Sequence, residues 1–387
     1  MSVPRRFGRR WLLVGAGAAA LVAAGSAERW LPVNVASGPA VDPARLRDAV
    51  LSGVVPHTGV ARSDGGLGLP EFPKLETAAA LLSTTTSIRV QVAADDRWRA
   101  DQLTPVGEID SYRVGDTEYV WDYGFTRLTV VRPIPPVRLP RASDLAPSDL
   151  ARRLLTITGG DPLTALPPRR VAGWSAPGFR VRPADPDATV ERIDVWALPS
   201  SGGGAALPLA VEVAARGVPD TAPPAVATRF ESVALGAPPE SALRPQSPPG
   251  AERIAAQPGD LAAVLRGLNA PEPPDTLAGR PRVGLPVDRA VPGAEILPGV
   301  AVYGTGIGRF VLVPAGREVA DQIIASAGSV GGAPVPGFAP DRATRVATPA
   351  LSLVVVRRRG GGYLLAGTVR PAVLEQAASD LVPGVRR

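Results

Sequence analysis

The chain has 387 residues, with 42 Lys and Arg against 36 Asp and Glu, one histidine, no cysteine, 42 Gly and 44 Pro. Without cysteine there is no disulfide framework, no Cys-ligated zinc or iron–sulfur centre, no thiol nucleophile and no lipid anchor on an N-terminal cysteine. The lone His57 excludes multi-histidine metal sites and leaves Ser-His-Asp catalysis only if that one residue serves.

A hydrophobic content of 45% is ample for a core, and at about 150 residues per domain the length suggests two domains. Four of the six excess positive charges are Arg5, Arg6, Arg9 and Arg10, and Lys74 is the single lysine. No basic stripe interleaved with aromatics appears, so no nucleic-acid partner is expected.

Residues 11–27 (WLLVGAGAAALVAAGSA) carry no charge and follow the four arginines. Residues 1–30 therefore read as a signal peptide or an uncleaved signal anchor. At 1.5 Å per residue the run spans about 25 Å, just short of a hydrocarbon core of about 30 Å. Gly25-Ser26-Ala27 offers small residues for cleavage, while Trp30 suits an interfacial anchor, and Arg9-Arg10-Trp11-Leu12-Leu13 is loosely of the twin-arginine type. In each version the body lies outside the cytoplasmic membrane, in a periplasm-like space or at the cell surface, either secreted or tethered to that membrane through 11–27.

Asp42-Pro43 followed by Leu46, Ala49 and Val50 predicts a helix with an Asp N-cap and Pro at its first position, ended by Gly53. His57 to Ser63 reads as a strand, Asp64 to Pro70 as a loop, and Leu75 to Leu82 as a short helix. From residue 86 to 131 the period changes to two: Ile88, Val90 and Val92 alternate with Arg89 and Gln91, Asp95-Asp96 and Gly115-Asp116 supply turns, and the stretch predicts an antiparallel meander. Pro133 to Pro140 connects it to an amphipathic helix, Ser148 to Ile157. A second meander follows from about Arg169, with strands at Phe179 to Arg182, Val190 to Leu198, Leu207 to Ala215 and Val226 to Leu235. Stretches 237–250 and 269–298, around a helix at Gly259 to Leu268, read as linker. Strand, helix and strand patterns in the last 90 residues predict a small α+β module.

Few constellations carry chemistry. His57 reads as a surface or strand-end histidine with no positioned partner. Glu108 and Asp110, at i and i+2, share one strand face, either as paired carboxylates or as the solvated face of the sheet. Asp95-Asp96 and Asp185-Pro186-Asp187 are turn residues, and Gly304-Thr305-Gly306-Ile307-Gly308 reads as a hairpin because a strand follows it. Arg357-Arg358-Arg359 is a hairpin tip, either solvated or set against anionic headgroups. Trp98, Tyr119 and Trp121 either pack beneath the helices or line a cavity.

The stretches HTGV (57–60) leading to GLGLP (66–70), SIRVQVAADDRWRADQL with GEIDSYRVGDTEYVWDY, and FRVRPADPDATVERIDVW with LPLAVEVAARG resemble an actinobacterial family of exported proteins related to the LolA lipoprotein carrier and the MucB/RseB-type regulator of sigma-E. YGTGIGRFVLV and LSLVVVRRRGGGYLLAGTVRPAVLEQAA extend the resemblance more loosely. It implies a β-rich α+β fold: a half-open antiparallel β-barrel of about eleven strands with covering helices at 31–250, a Pro/Gly-rich linker at 251–298, and a small C-terminal α+β domain at 299–387.

The resemblance also implies a non-enzymatic protein without a cofactor that binds a lipid or lipoprotein acyl chain, in lipoprotein handling or envelope-stress regulation of a sigma factor. The alternative is a regulator docking on a membrane-bound anti-sigma factor through its C-terminal domain. Candidate cavity-lining residues are Val90, Val92, Trp98, Tyr119, Trp121, Leu128, Val130, Ile193, Val195, Val211 and Val213. Having no lipobox cysteine, the chain is not expected to be a lipoprotein itself.

Overall fold

The computed structural model describes residues 41–69, 76–104, 107–132, 134, 140–200, 202, 204–256, 265–284 and 297–382. The export segment, most of the Pro133–Pro140 connection and most of the predicted helix at 259–268 lie outside them. Among the described residues no helix is long and apolar enough to cross a membrane.

Helix α1 (Pro43–Ser52) starts where the sequence places it: the Ala44 amide donates to Asp42 Oδ1 at 3.0 Å, and Pro43 occupies the first turn, where no intrahelical donor is needed. Leu46 and Val50, four residues apart, turn its buried face to the core. β1 (His57–Gly65) and helix α2 (Glu76–Ser83) lead into a meander of β2 (Thr85–Ala94), β3 (Arg97–Thr104), β4 (Gly107–Val114), β5 (Thr117–Asp122) and β6 (Arg127–Val131). Helix α3 (Pro147–Ile157) buries Ala151 and Leu155 and precedes β7 (Leu163–Val171), β8 (Trp174–Val181), β9 (Val190–Pro199), β10 (Ala206–Ala215) and β11 (Val226–Leu235).

Pairing of β1 with β11 joins the two meanders into one sheet of twelve strands, β12-β6-β5-β4-β3-β2-β1-β11-β10-β9-β8-β7, which does not close on itself. Gly59 permits the close approach of β1 to β11, since a Cβ there would lie 2.6 Å from the Ser232 carbonyl and 2.9 Å from the Phe230 ring. The twelfth strand, β12 (Glu252–Ala256), comes from the stretch read as linker and pairs parallel to β6; every other ladder in the sheet is antiparallel. Five residues among prolines gave no pattern from which to predict it.

The second sheet begins in the same stretch, with β13 (Thr276–Leu277) and β14 (Arg280–Val283), and continues through β15 (Ala301–Tyr303), β16 (Phe310–Ala315), β17 (Ala333–Pro334), β18 (Ala343–Ala347), β19 (Ser352–Arg358) and β20 (Gly361–Gly367). Helices α4 (Arg317–Ser326) and α5 (Pro371–Leu381) cover its two faces. Along β19 the alternation shows this directly: Val354 and Val356 pack with Leu374 and Ala377 of α5, and Val355 packs with Ala320 and Ile323 of α4.

The two lobes are locked together. Ile307, in the loop between β15 and β16, and Ala350 belong to the same buried cluster as Leu46, Leu155, Phe179 and Val195 of the large sheet. Around this plug, Thr189 N donates to Thr368 O at 3.0 Å, Thr189 Oγ1 donates to Ala350 O at 2.7 Å, and Ala188 bridges Val369. Asp185 and Asp187, read from the sequence as turn residues, accept from Arg280 at 2.5 and 3.2 Å, and Asp187 from Arg370 Nε at 2.9 Å. Any side chain at Gly308 would collide with Asp185, so the predicted hairpin is also a docking loop.

All six tryptophans, at 11, 30, 98, 121, 174 and 196, precede the second lobe. Ile307→Ala should cost about 2–5 kcal/mol, and the loss is expected in tryptophan emission during urea unfolding as well as in far-UV circular dichroism. Unchanged emission with a shifted dichroism midpoint would mean that the lobes unfold independently.

Candidate functional site

Where α1 ends at Gly53 and the chain turns into β1, the helices stop covering the large sheet. A cavity of about 480 Å³ remains there, within the range of about 300–1,000 Å³ typical of small-ligand sites. Val92, Ala94 and Trp98 from the β2–β3 end form one wall, and Val54, Val55, Leu207 and Pro208 form another. Helix α3 supplies the roof through two stripes of i, i+4 neighbours, Ser148, Arg152 and Thr156 beside Asp149, Arg153 and Ile157. Its other face, Ala151 and Leu155, is the one buried in the core, so the amphipathic pattern of this helix aims its polar residues at the cavity.

The electrostatics are unusual for an apolar pocket. His57 lines the cavity and is fully buried rather than at the surface. Its Nδ1 lies 2.7 Å from the Val55 carbonyl, so Nδ1 carries the hydrogen and Nε2 is a bare lone pair, without a partner among the described residues. Burial holds the imidazole pKa below its ordinary value, keeping the ring neutral at pH 7. The Phe230 ring meets it edge-on at 5.5 Å. Arg152 pairs with Asp95 at 2.7 Å and Arg153 with Asp144 at 2.8 Å. Asp149, in the first turn of α3, is pushed up to about 6 by desolvation.

The eleven predicted lining residues do not share one surface. Val92 and Trp98 line the cavity; Val90 packs beside it with Ile88, Ala100 and Leu145. Ile193, Val195, Val211 and Val213 lie in the core cluster with α1 and α3, filled rather than open. Unbroken registers across β3, β4, β5 and β6 align Ala100, Ser111, Val120 and Thr129 on one face. Tyr119 with Val130, and Trp121 with Leu128, therefore lie on the opposite face, away from the cavity. Sequence reading missed His57, Ser148, Asp149 and Leu207 as lining residues. The polar stripe of α3 was the one signal that could have indicated the roof.

That opposite face buries charge. Asp101 accepts from Arg99 Nε at 2.6 Å and from Arg89 at 3.2 Å, while Asp110 Oδ2 accepts from Arg99 at 2.9 Å and from the Tyr112 hydroxyl at 3.2 Å. The Arg99 guanidinium lies over the Tyr112 ring, 5.0 Å from its centre. Asp110 is 1% exposed, so Glu108 and Asp110 do not mark a solvated face. Three carboxylates, of Asp101, Glu108 and Asp110, lie within 4.8 Å of one another against two guanidinium groups.

Asp110 Oδ1 has no donor among the described residues and faces Glu108; two acceptors bond only if one holds a proton. Desolvation first, then the Glu108 bond and the Asp101 charge, push the Asp110 carboxyl up to about 8. One proton thus balances the cluster. The folded state holds that proton where the unfolded chain, titrating near 3.8, has lost it. Its stabilisation is complete below that value and disappears as pH rises through about 8. The melting temperature should fall between pH 5 and pH 9, and Asp110→Asn, which keeps a donor towards Glu108, should flatten the profile. An equal slope in both proteins would remove the shared proton from the account.

No protein-family model matches the chain, and no curated protein matches it. Among solved structures it is similar to MucB in the MucA/MucB complex of Pseudomonas aeruginosa, at 17% identity over 87% of this chain and 95% of that one, with a TM-score of 0.43. It is similar also to MucB in complex with MucA(peri), at 16% identity over 87% and 97%, with a TM-score of 0.44. A putative outer membrane lipoprotein-sorting protein domain from Vibrio parahaemolyticus matches at 12% identity over 50% and 90%, with a TM-score of 0.22. These structural neighbours are of the two kinds that the sequence resembles, MucB/RseB-type and LolA-like.

Proposed function

We propose that this chain is a non-enzymatic extracytoplasmic protein that holds an apolar or amphipathic ligand in the cavity beneath α3, in lipoprotein handling or in envelope-stress regulation of a sigma factor. The carrying observation is the cavity itself: Val54, Val55, Val92, Trp98 and Leu207 present apolar surface at the point where α1 and α3 cease to fill the open sheet. An alkyl chain placed there gains about 0.8 kcal/mol per buried CH₂, so no charged contact is needed to hold its body. Export of the body across the cytoplasmic membrane, directed by residues 1–30, belongs to the same proposal.

A second reading, docking on a membrane-bound anti-sigma factor through the C-terminal lobe, is favoured by the shared core. Leu155 of α3 packs in one cluster with Ile307 and Ala350, and the next residues, Thr156 and Ile157, line the cavity. Filling the cavity therefore acts on a helix that the second lobe touches, which gives a physical route from ligand to partner.

Two measurements test these readings. Organic extracts of the purified protein, analysed by mass spectrometry, should contain a long-chain compound in near-stoichiometric amount, and Val54→Trp, which fills the cavity, should yield an empty protein; identical empty extracts from both would sink the carrier reading. Hydrogen exchange at the amides of residues 304–309 should slow when the cavity is loaded with dodecanol, and unaltered exchange there would disconnect ligand from the second lobe.

A further inference from the structure

Three cavity-lining residues, His57, Ser148 and Asp149, each have a polar group without a hydrogen-bond partner among the described residues; His57 Nε2 and the Asp149 carboxylate accept, and the Ser148 hydroxyl both donates and accepts. His57 Nε2 is a lone pair because Nδ1 donates to Val55 O at 2.7 Å. Ser148 Oγ is buried and unbonded. Asp149 makes no ion pair among the described residues, although two arginines follow it on α3, since Arg152 is held by Asp95 at 2.7 Å and Arg153 by Asp144 at 2.8 Å. Arg152 and Arg153 act on Asp149 through space only, and desolvation outweighs them, raising its carboxyl to about 6 while leaving it ionised at pH 7.5. Asp149 is half-buried and lines the cavity, so a carboxylate without an ion pair faces any ligand held there and is complemented by one of opposite charge.

We propose that the cavity selects an amphiphile with a cationic, hydrogen-bond-donating head, a primary alkylammonium, whose chain lies against Val55, Val92 and Trp98 and whose head sits beside Asp149. The inference rests on the reading of the cavity as an apolar-ligand site and adds the class of head it takes. An ammonium carries three donors, a positive charge and no acceptor, which complements the unpaired Asp149 carboxylate. A fatty-acid carboxylate meets the like charge of Asp149, and the nearby guanidinium groups already hold their own carboxylates.

Equilibrium dialysis of the full chain at pH 7.5 against dodecylammonium, dodecanol and dodecanoate, each below its micellar concentration, tests it. Dodecylammonium should bind at least about tenfold more tightly than dodecanoate. Asp149→Asn, and independently Asp149→Ser, which suits a first helical turn, should bring the two within a factor of about two while leaving dodecanol unchanged. Each variant is first shown to keep the native far-UV dichroism. Equal binding of all three amphiphiles by the native chain, or tighter binding of dodecanoate, overturns the choice of head and leaves the apolar site standing. Absence of binding by all three removes the apolar site, and this inference with it.

Discussion

An open sheet of twelve strands has an apolar face that it cannot bury against itself, and everything else in this molecule follows from how that face is covered. A closed barrel would fill its interior with its own side chains. Here the work is divided among α1, α3 and a loop from the second lobe: Leu46 and Val50, Ala151 and Leu155, then Ile307, each meet Phe179, Ile193 and Val195 in one cluster. Coverage stops short where α1 ends at Gly53, and the shortfall is the cavity. The candidate site is therefore the remainder left by an incomplete covering, which explains why its walls are strand ends and its roof is the polar side of an otherwise core-forming helix.

The opposite face at β3 to β6 solves a different problem. Tyr112, Trp121 and Leu128 are buried there beside Asp101 and Asp110, and charges in such a place persist only when paired. Two arginines and one proton accomplish the pairing. This face is ionic where the cavity face is apolar, so the two faces of one sheet meet different physical demands.

Much of the fold was legible in the residues. Asp42-Pro43, the period-two runs and the turns at Asp95-Asp96 and Gly115-Asp116 encode local geometry, and local geometry is what a sequence states most directly. The candidate site was legible only in part. In Thr117–Asp122 the apolar residues 119, 120 and 121 are consecutive, so parity does not say whether Tyr119 or Val120 faces the helices; with one face ionic and the other apolar, both sides are sheltered and alternation loses its meaning. Burial of His57, the fate of Ile307 and the pairing of β12 depend on contacts between residues far apart in the chain, which no local pattern records. Asp185 and Asp187 read as turn residues for the same reason: the turn is local, but Arg280 and Arg370 are not.

Among the described residues the unclosed sheet also keeps two free edges, and free edges invite other chains to add strands. β7 presents Pro167 and Pro168, which lack amide donors, a register shift between Leu166 and Arg169, and the charges of Arg169 and Arg170. β12 is five residues long and opens with Glu252 and Arg253. Neither edge offers the long, flat, donor-rich ladder on which cross-strand association grows. The protein can leave its sheet open without becoming a template for its own fibres, a safeguard that matters most at high local concentration, where identical edges would otherwise meet often.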